Sequence, residues 1–366
     1  MKKLTRKAVR FNGLTLGLDV HKKFIEYCVL DRKGNELEGK RIDSTKDALK
    51  ELVARLKKRG PVQATLEACG CFIWIFDLLV AELGREVVHV AQPSRLHVIA
   101  NSMEKNDSND AWWLAYVLYE GRMPESFVAE GVLRELRIAA RELRWYTDMR
   151  ADLLRRFKSH LAQMGIAVPK NWHTSKVGRE KAVAVLAELK GERRLALKLL
   201  MKEIKALGAV MKVWRERMAE VSKSIPQVKT IMDEMPGFGL TISGSVTGEL
   251  GDPRRYYSAK AYAKGSGLPP GYRESGGKGQ ATGITRQGSA LARWGFTRAV
   301  VSCLRCKKGP GAQIKQWVEE HSKTRPKGKM IVAAARKMAE AVWRLFALGE
   351  AFDLVKAFPV KGVVPQ

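Results

Sequence analysis

Leu14-Thr15-Leu16-Gly17-Leu18-Asp19-Val20 is an apolar run of strand length that carries a single acid near its end. Two more strand patterns follow at hairpin spacing, Phe24 to Leu30 and Glu36 to Ile42, with Asp31-Arg32-Lys33-Gly34 as the turn between them. Leu49, Leu52, Val53 and Leu56 then recur at helical spacing. A short strand, Val62 to Leu66, ends at Glu67. Beyond it come a helix over Phe72–Leu83, a strand over Glu86–Val90 and a helix over Asp107–Tyr119.

Three hairpin-connected strands followed by strand–helix alternation predict a ribonuclease-H-like (RuvC-like) α/β domain over residues 10–128. In such a sheet, strand ends converge on one edge, where sites form. Asp19 ends the first strand and Glu67 a later one. Asp107 and Asp110 are three apart, which on a helix puts them on one face, about 5–6 Å between Cβ atoms. Four clustered carboxylates repel one another unless a cation intervenes. They are therefore candidate oxygen ligands for one or two Mg²⁺ ions, or Mn²⁺ in their place. Two such ions roughly 3.5–4 Å apart clamp the attacking and leaving oxygens of a phosphodiester. His21 is expected to turn to the opposite sheet face and pack, and Lys22 to reach a phosphate.

These acids stand in a strongly basic chain of 366 residues, with 66 Lys and Arg against 38 Asp and Glu, a formal charge of +28. Such an excess points to a polyanion, nucleic acid first. At 45% hydrophobic residues the chain can build cores. Its most apolar stretch, Phe72 to Ala81, is interrupted by Asp77 and is far shorter than the ~20 residues of a membrane span. The basic N-terminus leads into no signal-peptide core. The expectation is a cytoplasmic, nucleoid-associated protein without membrane contact. Five scattered cysteines argue against a disulfide framework. Cys303 and Cys306 have the spacing of half a zinc site, with no second pair to complete it.

Residues 129–225 read as a helical connector. Leu136, Ala140, Leu143, Tyr146, Leu153, Phe157, Leu161 and Met164 mark one long helix, interrupted by Pro169 and Asn171. Leu200, Ile204, Leu207, Met211, Trp214, Met218, Val221 and Ile225 step by fours and threes, a coiled-coil seam. An intramolecular helical hairpin and an intermolecular coiled coil fit this seam equally.

Residues 226–366 form a mainly helical third region. Pro236-Gly237-Phe238-Gly239 lies between two short helical patterns and resembles a helix-hairpin-helix turn, whose glycines (Gly237, Gly239) bring backbone N–H groups close to phosphates. From Pro253 to Val318 there are 13 basic residues and one acid, Glu274, a net of +12. Arg254, Arg255, Arg273, Lys278, Arg286 and Arg293 are among them, threaded with glycines, and make a candidate phosphate-binding surface. Ser275, in Tyr272-Arg273-Glu274-Ser275-Gly276-Gly277-Lys278, is a candidate nucleophile. The glycines open its approach, and the cations are available to neutralise charge on an attacked phosphate. Ser266 and Ser289 are the alternatives. Trp294, Trp317 and Trp343 fall at helical positions and are expected in the core.

The chain resembles the insertion-sequence transposases that combine an N-terminal four-acid (DEDD) domain with a C-terminal serine, a group related to the Piv-type DNA invertases and the bridge-RNA-guided recombinases. The residues that carry the likeness are Gly17-Leu18-Asp19-Val20-His21-Lys22 and Glu67-Ala68-Cys69-Gly70, then Lys105-Asn106-Asp107-Ser108-Asn109-Asp110-Ala111. Met235-Pro236-Gly237-Phe238-Gly239, Ser275-Gly276-Gly277-Lys278 and Gly283-Ile284-Thr285-Arg286-Gln287-Gly288 complete the set. Lys105-Asn106-Asp107 replaces the family's usual Lys-Thr-Asp, and Gly288-Ser289 its Gly-Asn, which introduces a competing serine.

The resemblance implies that Asp19, Glu67, Asp107 and Asp110 form the metal site and Ser275 is the nucleophile, in a composite site that protomers can share. It implies donor and target DNA as substrates and a structured guide RNA. Lys105 is a further candidate nucleic-acid contact, and recombination needs four strand cleavages held together, so a homodimer or homotetramer is expected. Two other functions fit the residues alone: a metal-dependent nuclease that uses water, and a nucleic-acid-binding protein without strand transfer.

Overall fold

The computed structural model describes residues 11–93, 96, 107–167, 172–275 and 278–360, and at 107–109, 272–275 and 278–282 it describes the backbone alone. The chain divides into two compact units, residues 1–128 and 129–366.

The first unit is built on a five-stranded mixed sheet, the ribonuclease-H-like arrangement expected from the sequence. β1 (Leu14–Val20), β2 (Phe24–Leu30) and β3 (Glu36–Asp43) form an antiparallel meander. β4 (Val62–Glu67) and β5 (Val88–Ala91) add in parallel on the other side of β1, giving the order β3-β2-β1-β4-β5. β5 begins at Val88 and not at Glu86, because a 3-10 turn, Arg85–Val87, takes up the first residues. β1 is central and buried on both faces, which is why it reads as a nearly continuous apolar run.

The two faces of this sheet differ in chemistry. Leu14, Leu16 and Leu18 join Ile25, Tyr27, Val29, Ala64 and Leu66 in the main core, under α1 (Lys46–Lys57) and α2 (Phe72–Leu83). Thr45 caps α1, its hydroxyl accepting from the Ala48 N–H at 3.3 Å. The alternate residues face α3 (Asp107–Tyr119): Cys28 and Leu30 pack on Ala111, Ala115 and Tyr119. A buried polar pair lies on the same side, Gln63 Nε2 donating to Thr15 Oγ1 at 2.8 Å. Where α3 crosses β1 the strand has Gly17. A Cβ there would overlap the Ala111 carbonyl oxygen and lie 2.5 Å from the Ala115 nitrogen.

The second unit is helical apart from one hairpin. α4 (Gly131–Gln163) and α6 (Gly191–Ser222) are long helices that pack on each other, with α5 (Lys176–Glu188) between them in sequence. Leu136, Ala140 and Leu143 meet Met211, Met218 and Val221 in one cluster. Phe157 and Leu161 meet Leu197, Leu200 and Ile204 in another. The heptad-like seam is thus filled within the chain, which decides for the intramolecular helical hairpin. Periodicity could not choose the partner, since the same stripe serves either one.

α7 (Pro226–Glu234) and α8 (Leu240–Leu250) flank the Pro236–Gly239 turn. α9 (Ala259–Gly265), α10 (Ala290–Cys303), α11 (Pro310–His321), α12 (Lys327–Ala347) and the short α13 (Leu354–Ala357) follow. Val246, Tyr262, Phe296, Val300, Ile314, Trp317, Met338 and Phe358 are members of their shared core. Trp317 is buried there as expected. Trp343 packs at its edge and donates Nε1–H to the Tyr256 carbonyl at 2.9 Å. Trp294 is half-buried beneath the Arg144 guanidinium, 4.6 Å from the ring. Between α9 and α10 lies a two-stranded antiparallel hairpin, β6 (Pro270–Ser275) and β7 (Lys278–Ile284), which the sequence reading did not anticipate. All five cysteines are free, and Cys303 is fully buried in the core. Among the described residues no helix is long and apolar enough to cross a membrane.

Candidate functional site

β1 and β4 run parallel with Leu18 opposite Leu66, so the next residues, Asp19 and Glu67, stand on neighbouring strands. Side chains alternate along a strand. Asp19 therefore shares the face of Gly17, and Glu67 that of Thr65, which is the face covered by α3. The first turn of α3 holds Asp107 and Asp110. Ala111, the residue after Asp110, is the one that presses on Gly17, two residues before Asp19. The backbone thus brings two strand-end acids and two helix-start acids to one edge of one sheet.

The Asp19 carboxylate is 16% exposed, and its Oδ2 is 2.9 Å from His21 Nε2. This corrects the expectation for His21. It lies two residues beyond Asp19, not one, and so returns to the same side, where its ring also stacks on Phe24 at 4.5 Å. Lys22 is exposed beside it, Glu67 is half-buried and Asp110 exposed. The Asp107 side chain and all of Lys105 lie outside the described residues. Among the described residues no three of His, Cys, Asp and Glu form a group able to hold a metal ion. The donor set itself is hard carboxylate oxygen, which suits Mg²⁺ or Mn²⁺.

In the second unit, Ser275 and Lys278 are the last paired residues of the β6–β7 hairpin, and Arg273 stands opposite Gln280. Ser275 is therefore at the turn end of the hairpin; its side chain, like those of Arg273 and Lys278, lies outside the described residues. The two alternative serines are occupied. Ser266 is fully buried and its hydroxyl donates to the Ala263 carbonyl at 2.7 Å. Ser289 caps α10, accepting from the Ala292 N–H at 3.1 Å, and donates to Glu249 Oε2 at 2.8 Å.

Several of the proposed phosphate contacts also have structural partners. Arg254 forks onto Asp252, the closest contact 2.6 Å. Arg255 donates to the Leu250 carbonyl at 2.9 Å. Arg293 donates to the carbonyls of Ser266, at 3.1 Å, and Arg286, at 3.4 Å. Arg286 is exposed, with its backbone in the left-handed region at φ 54°. In the α7–α8 turn the two glycines differ. Gly239 is open and precedes the first turn of α8. Gly237, at φ 80°, lies against α10, where a Cβ would overlap the Ala299 carbonyl oxygen and come within 2.7 Å of Cys303 Sγ. Gly237→Ala is expected to lower stability by roughly 1–3 kcal/mol, read from the urea midpoint.

The acid the sequence reading missed is Glu249, which lies just before the stretch where the charge becomes one-sided. Its only sequence signal is being the sole acid in the helix Leu240–Leu250.

A family model for the DEDD domain of IS110 transposases matches residues 16–166, the span that carries all four acids. A second, described as "Transposase IS116/IS110/IS902 family", matches residues 229–315, the span from α7 into α11. The chain belongs to the IS110 family of transposases, enzymes of DNA strand cleavage and transfer. As such it binds and acts on DNA, and a DEDD domain implies dependence on a divalent metal. Among similar proteins, a "Probable family 20 transposase" of Pseudomonas aeruginosa is 21% identical over 91% of this chain and 96% of its own length. The "Transposase for insertion sequence element IS1328" of Yersinia enterocolitica is 25% identical over 32% of this chain and 36% of its own length.

Proposed function

We propose that this protein cleaves and rejoins DNA through a phosphoserine at Ser275, assisted by Mg²⁺ bound at Asp19, Glu67, Asp107 and Asp110, with a structured RNA selecting donor and target. In the covalent step Ser275 Oγ forms a bond to phosphorus as the bond to a deoxyribose oxygen breaks. The departing oxygen takes up a proton and becomes a hydroxyl. One phosphodiester is exchanged for another, so rejoining is the same step in reverse and needs no nucleotide cofactor. The ion, when bound, supplies charge to the attacked phosphate or the leaving oxygen. Strand exchange requires several cleavages held together, hence a homodimer or homotetramer.

The observation that carries this reading is the position of Ser275, the last paired residue of a hairpin within a segment of net charge +12, while Ser266 and Ser289 are both engaged in the fold. Support for the metal role is the shared sheet face of Asp19 and Glu67 beside the start of α3. Guidance by RNA is supported by the overall charge of +28 and by the resemblance to RNA-guided recombinases.

The test is to trap the protein on DNA with its RNA and Mg²⁺, digest the adduct, and locate the phosphate by mass spectrometry. The expected site is the peptide containing Ser275. Cut DNA without an adduct would replace this reading with the water-using nuclease. No cleavage under any divalent ion, with the RNA present, would leave a nucleic-acid-binding protein. Chelation is expected to stop cleavage while leaving DNA binding by the basic region in place.

A further inference from the structure

Glu249 is a carboxylate with only 6% of its side chain exposed, at the end of α8 and next to the most basic part of the chain. Burial of an unpaired carboxylate is costly. Here it is fully engaged. Arg141 on α4 donates Nε–H to Oε1 at 2.6 Å and Nη2–H to Oε2 at 3.2 Å, and Ser289 donates its hydroxyl to Oε2 at 2.8 Å. Burial pushes the Glu249 pKa up, but these partners together with Arg137 hold it below the ordinary value. Arg137, one turn earlier on α4, donates to the carbonyls of Gly248, at 2.7 Å, and Glu249, at 3.0 Å. α8 comes this close to α4 because Gly244 and Gly248 line the crossing. A Cβ on Gly248 would sit 3.1 Å from Arg137 Cα.

Ser289 links this anchor to the segments at the base of the hairpin. Its hydroxyl caps α10 and its N–H donates to the Gly265 carbonyl at 2.8 Å. Next to it, Thr285 N–H donates to Pro269 at 2.9 Å and Arg286 N–H to Gly267 at 3.2 Å. Both legs of β6–β7 are therefore clamped at their base, and Arg286 is held there in the left-handed region. Such strain persists only where the surroundings over-determine it. With the Arg141 side chain 60% exposed, the ion pair adds little net stability; its directional fork instead fixes geometry.

We propose that Glu249, gripped by Arg141, is a positioning residue for the hairpin of Ser275, acting through Ser289 to set the base from which β6–β7 projects. The inference rests on the reading of Ser275 as nucleophile, and its test is built to fail separately. Full-length Glu249→Gln, Ser289→Ala and Ser289→Asn proteins are compared by amide exchange over 283–290, single-turnover DNA cleavage and DNA affinity. Asn can both accept from Ala292 N–H and donate to Glu249, so it serves as the rescue.

Expected for Ser289→Ala and Glu249→Gln is faster exchange at the hairpin base and cleavage slowed by at least about ten-fold, with DNA affinity within about two-fold. Ser289→Asn is expected to return both toward the parent. Three results would overturn the proposal: exchange unchanged in both variants, faster exchange with cleavage at the parental rate, or Ser289→Asn as impaired as Ser289→Ala. If these variants behave as expected while the trapped phosphate maps elsewhere than Ser275, the positioning role stands and only the identity of the nucleophile falls.

Discussion

Ser275→Ala is expected to form no protein–DNA adduct and to cleave DNA at least on the order of a thousand-fold more slowly than the parent, because loss of a nucleophile removes the chemical step itself. DNA affinity should change little, since the substitution removes no charge that could attract phosphate. The informative comparison is with the other two serines. Ser266→Ala removes one buried hydrogen bond to Ala263, and the adduct should still form. Ser289→Ala should also form the adduct, more slowly, because its hydroxyl orients α10 and contacts Glu249. Adduct at normal yield in Ser275→Ala would remove that residue from the chemistry. Cleavage retained in Ser275→Ala without adduct would point to water activated at the acids.

Some parts of this fold are legible in its sequence and others are not. The sheet is legible because β1, β2 and β4 run largely apolar over strand lengths, β3 returns from the turn at Asp31–Gly34, and a parallel neighbour of β1 ending at Glu67 puts the acids side by side. His21 was misplaced by a one-residue slip, which on a strand reverses the face. The β6–β7 hairpin was hidden. Proline, glycine and charged residues from Pro269 to Gly283 carry almost no two-residue apolar period, so no strand pattern stands out there, and the hairpin is defined by its backbone pairing. The α4–α6 seam was visible as a stripe, but a stripe does not name its partner. Glu249 was invisible for a different reason: its importance comes from Arg141, 108 residues earlier, and Ser289, 40 residues later, and no local pattern encodes that meeting.

The sheet face also yields the second large effect, at a residue that carries no chemistry. Gly17→Ala adds one methyl group where α3 crosses β1, against the Ala111 carbonyl and the Ala115 nitrogen, which is 2.5 Å from the added carbon. Both neighbours are backbone, so no side chain can turn aside. Helix α3 has to back away from the sheet by about 1 Å to restore normal contact, at an overpacking cost of about 1–3 kcal/mol. That helix begins with Asp107 and Asp110, while Asp19 and Glu67 stay with the strands. The substitution therefore separates the two halves of the acid set without altering any of them. A displacement of this size can cost about a hundred-fold in rate. Cleavage by Gly17→Ala is expected to fall by at least that much, with more Mg²⁺ needed for half-maximal rate and DNA affinity preserved. Gly208→Ala in α6, where an added Cβ meets nothing within 4 Å, is the control and should cleave as the parent does. A Gly17→Ala protein that melts lower but keeps the parental Mg²⁺ dependence would show that α3 does not carry the acids that hold the metal.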